Sequence, residues 1–110
     1  MKTRSITAAL AAVLAASVAP AASAEPVFNR IASFAVAENL PEGTDKATPT
    51  SSEIITASED GNMLVYSDSP NKAIGFIDIT DAKAPKAGGS LAFDGEPTSV
   101  TIAAGKALVA

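Results

Sequence analysis

The chain has 110 residues, 12 of them acidic and 8 basic, with a formal charge of −4 at neutral pH and neither Cys nor His. That leaves room for one small domain and excludes disulfides, thiolate or His-ligated metal sites, a serine/histidine triad and a cysteine nucleophile. Any catalysis would rest on carboxylates, hydroxyls, amides or Lys.

The opening MKTRSITAALAAVLAASVAPAASA carries Lys2 and Arg4, an apolar run from Ile6 to Ala19, and then Ala22-Ser23-Ala24. This order of basic, apolar and small residues predicts a secretory signal peptide over 1–24, formed as a helix and cleaved after Ala24. The apolar run is shorter than the roughly 20 residues of a membrane span, so no transmembrane anchor is expected in this segment. The protein is expected to be exported, to the periplasm or the extracellular space. Cleavage removes two basic residues and no acidic one, so the remaining 86 residues (110 minus 24) carry a formal charge of −6. Such an acidic chain has no electrostatic footprint for phosphate backbones, and nucleic acid is not an expected partner.

In chain order, Ile31 and Phe34 among small residues predict a strand over Arg30 to Val36, within a segment 25–37. Pro41, Gly43, Asp45, Pro49 and a Ser/Thr cluster then break both periodicities, predicting a mobile or functional loop over 38–51. From 52 to 93 strand signals follow one another. A β-branched run over Glu53 to Ala57 and a turn at Ser58 to Asn62 lead to a returning strand over Met63 to Tyr66. A second turn spans Ser67 to Lys72, a third strand Ala73 to Ile79, a third turn Thr80 to Lys86, and a fourth strand Gly88 to Phe93. Asp94 to Pro97 leads to a last strand pair within 94–110.

Gly61, Leu64 and Val65 of GNMLVYS align with Gly105, Leu108 and Val109 of GKALVA at a spacing of 44 residues (105 minus 61), with one or two residues fewer before the second glycine. A period in the forties with four strands per unit is the pattern of a β-propeller blade. The expected fold class is therefore all-β: a propeller fragment with an outer closing strand (25–37), a first four-stranded antiparallel blade (52–93) and the start of a second (94–110). A genuine short protein that pairs through its free strands as an oligomer is the alternative organisation.

The stretch SPNKAIGFIDITDAKAPKAGGSLAFDGEPTSVTIAAGKALVA is similar to secreted bacterial propeller repeats with "N-x-x-x-x-x-I-D-x-(T/S)" followed by "G-x-P-x-x-V" and a glycine turn. More narrowly, SEIITASEDGNMLVYSDSPNKAIGFIDITD resembles the first blade of the choice-of-anchor I family, whose members are often labelled alkaline phosphatase or phytase-like esterase. The resemblance implies further blades as partners of this segment, and a complete protein that hydrolyses small phosphoesters with a divalent metal, calcium or magnesium. It also implies a structural Asp78. A non-catalytic propeller, acting as a binding or surface scaffold, is the competing expectation.

Blade geometry would bring Glu53, the Ser67 to Asn71 turn and Asp94 to Glu96 to one rim, and Glu53 is the candidate metal ligand there, because carboxylate oxygen suits hard cations. Solvated turn residues are the plainer account of the same side chains. Asp78 beside a turn is expected to bond backbone N–H groups near Thr80 and Asp81. Asp60-Gly61-Asn62 lacks the alternating ligands of a calcium loop and reads as a hairpin turn. Gly88-Gly89 opens no helix, and Ser51 and Ser52 have no base to activate them. No catalytic residue is assigned.

Overall fold

The computed structural model describes Glu25 and residues 27–110, so the signal helix expected over 1–24 lies outside the described residues. These residues form a mostly β structure with no α-helix, and no helix among them is long and apolar enough to cross a membrane. Strands β1 (Ile55–Ala57), β2 (Met63–Asp68), β3 (Ala73–Asp78) and β4 (Lys86–Ala92) make an antiparallel meander in the order β1-β2-β3-β4. Strands β5 (Val100–Ala103) and β6 (Lys106–Val109) make a separate two-stranded hairpin.

Each connection follows from its turn chemistry. Ala104 and Gly105 both have positive φ (50° and 70°), which lets two residues join β5 to β6 in register with the strand twist. Between β1 and β2, Asp60 accepts hydrogen bonds from the Ser58 hydroxyl (2.6 Å) and the Asn62 backbone (3.0 Å). Asp78 accepts from the Thr80 backbone at 2.9 Å, the structural place expected for it. Asp81 accepts in the same way from Lys83 at 3.0 Å.

Side chains alternate across β2 and β3. Val65 and Ile74 are buried on one face with Val100, and Phe76, Ile102 and Val109 pack around them, so the hairpin lies face to face on the sheet. The opposite face carries Tyr66, Ala73 and Ile77, all buried, beside Gly75.

One expectation is corrected. The strand expected over Arg30 to Val36 is not formed. Residues 31–35 belong to no strand, and Val36–Asn39 is a 3-10 helix packed on β4 and β3. A strand exists only where a neighbour pairs its N–H and C=O groups, and this segment has no such neighbour among the described residues. The 44-residue alignment sets Leu64 beside Leu108 and Val65 beside Val109. Val109 packs against the cluster of Val65, Ile74 and Val100, whereas Leu108 is 54% exposed. Thr56 pairs with Val65, nine residues on, and Thr101 with Leu108, seven residues on, so the β5–β6 connection is the shorter one.

Candidate functional site

The loop 38–51, expected to be mobile or functional, is tied to the sheet near its start by Asn39. Between Gly75 and Ile77 of β3 the register with β4 shifts, and the extra residue falls at Gly88-Gly89. A bulge leaves backbone groups without a ladder partner. Asn39 fills the gap with its carboxamide, donating from Nδ2 to the Phe76 carbonyl at 2.8 Å and accepting at Oδ1 from the Gly89 N–H at 3.0 Å. The same Nδ2 donates to Tyr66 Oη at 2.9 Å. An amide side chain thus stands in for a missing peptide group and joins β2, β3 and β4. Asn39 and Tyr66 are 4% and 1% exposed, which makes these bonds costly to leave unmade.

Burial pushes the Tyr66 phenol up from its ordinary value, and the Asn39 hydrogen bond only partly offsets this; the nearby Asp68 charge adds to the rise. Next to the phenol, Asn39, Leu40, Tyr66, Asp68 and Asn71 border a small cavity of about 170 Å³.

Asp68 anchors a second network at the end of β2. Its carboxylate is buried and accepts from the Ser51 N–H at 2.9 Å and from Asn71 Nδ2 at 2.8 Å. Asn71 Nδ2 also donates to the Pro49 carbonyl at 2.9 Å, and Ser69 Oγ donates to the Pro97 carbonyl at 2.7 Å. The Ser67 to Asn71 turn thus bonds the chain at Pro49 and Pro97 through their backbone carbonyls. Glu53 sits in a bend just before β1, exposed, and its carboxylate has no hydrogen-bond partner among the described residues. Asp94 and Glu96 are exposed in the same way. Among the described residues no group of three or more acidic, His or Cys side chains converges on a point.

A larger cleft of about 680 Å³ runs between the sheet and the hairpin, floored by Val65, Phe76, Gly88 and Ile102 and rimmed by Asp60, Asp78 and Lys106. Both rim aspartates are held below the usual carboxylate range. The Ser58 hydroxyl is the main cause for Asp60 and the Thr80 N–H for Asp78, with a smaller contribution from the Lys86 charge. Those hydrogen bonds keep both groups ionised, so neither is suited to supply a proton near neutrality. Glu59 closes one end of the cleft by accepting from the Ala104 N–H at 3.2 Å, which joins the two hairpin turns.

Sequence reasoning missed Asn39 and Tyr66. Paired glycines inside a strand are a signal for a bulge that the sequence reading did not use, and nothing in the sequence pointed to an amide 50 residues away as its partner. The chain matches no protein-family model, no curated protein and no solved structure.

Proposed function

We propose that this chain is a blade-building part of an exported β-propeller whose role is architectural, forming a scaffold or binding surface rather than a catalytic centre. The observation that carries this reading is the face-to-face seating of the β5–β6 hairpin on the four-stranded sheet. A twisted sheet with two apolar faces needs a neighbouring sheet on each, and the hairpin covers part of one face as the inner half of a second blade would. The described polar groups agree with a scaffold: Asp60, Asp68 and Asp78 are engaged in turns, and Asn39 repairs a bulge. Export follows from the leader-like residues 1–24.

Hydrolysis of phosphate monoesters with calcium or magnesium, implied by the resemblance to the choice-of-anchor I and phytase-like proteins, is the second reading. Glu53 favours it as an exposed carboxylate in the bend before β1, without a hydrogen-bond partner among the described residues, where it could take a hard cation shared with a phosphate. Phosphate release from a model monoester and from phytate, measured with purified full chain in calcium, separates the two. The scaffold reading expects no release and no calcium binding in titration calorimetry. Release that is lost in Glu53→Gln would overturn it in favour of the hydrolase.

A further inference from the structure

Among the described residues there is one sheet-on-hairpin interface, and it leaves exposed a second pair of surfaces of the same kind. In the interface that is formed, the face of β1–β2 bearing Thr56 and Val65 receives Val100 and Val109 of the hairpin. By side-chain direction, Thr101 and Leu108 on the hairpin's outer side are the counterparts of Thr56 and Val65. Ile55, across from Tyr66 on the sheet's other face, is the counterpart of Val100. Thr101 and Leu108 are exposed, and Ile55 is 51% exposed beside the exposed Ala57 and the half-buried Leu64. The 3-10 segment around Asn39 packs on that face over β3 and β4 and reaches β2 through the Asn39–Tyr66 hydrogen bond, leaving Ile55 and Ala57 of β1 exposed.

We propose that a second copy of this chain occupies these surfaces head to tail: the Ile55, Ala57 and Leu64 face of one copy stacks on the Thr101 and Leu108 face of the next. The occupant is argued from the interface already present, because each free surface presents the residue types and strand pairing of one side of it. The contact is heterologous, since the two surfaces differ, so it leaves one of each free at the ends of any open stack and is satisfied throughout only in a ring. The inference rests on the same-sense stacking of the blade reading.

The test is analytical ultracentrifugation of the full chain over a wide concentration range, with two single variants. Wild type sediments as an oligomer. Leu108→Asp destroys one surface and Ile55→Asp the other, so each alone is a monomer. An equimolar mixture retains one intact pair of surfaces and forms a 1:1 dimer that grows no further. Circular dichroism monitors the sheet in each variant, and Thr101→Lys replaces Leu108→Asp should the latter fail to fold. A wild type that stays monomeric at every concentration overturns the self-stacking and leaves the blade reading standing. A mixture that forms no dimer while both variants are folded also overturns it. A symmetric dimer joined through two Leu108 faces overturns both, because it opposes equivalent faces.

Discussion

The ring of Tyr66 lies against Gly75, its register partner across β2 and β3, so closely that a β-carbon at Gly75 would clash with the hydroxyl-bearing edge of the ring. This contact lets the phenol reach Asn39 across the sheet. A larger residue at position 75 would displace Tyr66 and break the link between the 3-10 segment and the bulge.

Gly75→Ala is accordingly expected to destabilise the fold by about 1–3 kcal/mol, the range for overpacking a filled site. Gly95→Ala, where nothing lies within 4 Å of the added carbon, is the control and is expected to change little. Urea unfolding followed by circular dichroism measures both, and equal midpoints for the two variants would sink the account.

Asn39→Ala removes a donor to Tyr66 Oη and Phe76 O and an acceptor for Gly89 N–H. Buried groups left without partners cost about 1–3 kcal/mol each before relaxation, so a loss of about 2–4 kcal/mol is expected. Hydrogen exchange at Gly89 should speed up more than exchange at Leu64 or Val65, which lie away from the bulge. Uniform acceleration would mean that Asn39 does not act at the bulge.

Tyr66 is the one tyrosine in the chain and there is no Trp, so its phenol can be followed by absorbance without interference. Its ionisation in the folded protein is expected above the ordinary value of about 10 and should return to it in denaturant. A raised folded pKa contributes stability that is fully present below about pH 10 and is lost as pH rises through the folded value. Titration at the ordinary value in the native protein would show that the phenol is open to water.

For Asp60 and Asp78 the sign is opposite. Both are depressed, so their hydrogen bonds stabilise the fold above the unfolded value of about 3.9, and that contribution is lost as pH falls below it. Asp78→Asn should therefore flatten the acid limb of a stability profile measured from neutral pH downward. An unchanged limb would leave other carboxylates responsible.

The strands and turns were largely legible in the sequence because they depend on neighbours. The β-branched run ending at Ala57, the alternation of Ile74 and Phe76, and the Asp and Gly residues at each reversal encode β1 to β6 through local sterics and short-range hydrogen bonds. Asp78 was legible for the same reason, since its partner Thr80 lies two residues on. Arg30 to Val36 was misread because its composition suits a strand while a strand also needs a partner.

The sequence by itself therefore determined the order of the strands, their antiparallel turns and the exclusion of His and Cys chemistry, all set by residue type and short separations. Only the tertiary structure decided that Asn39 completes the β4 bulge, that Tyr66 crosses Gly75, and that Val109 packs against the cluster of Val65, Ile74 and Val100 while Leu108 is exposed. Those outcomes depend on which face a strand presents and on one extra residue in a ladder, and both are settled when distant segments compete to bury apolar surface and satisfy backbone hydrogen bonds together.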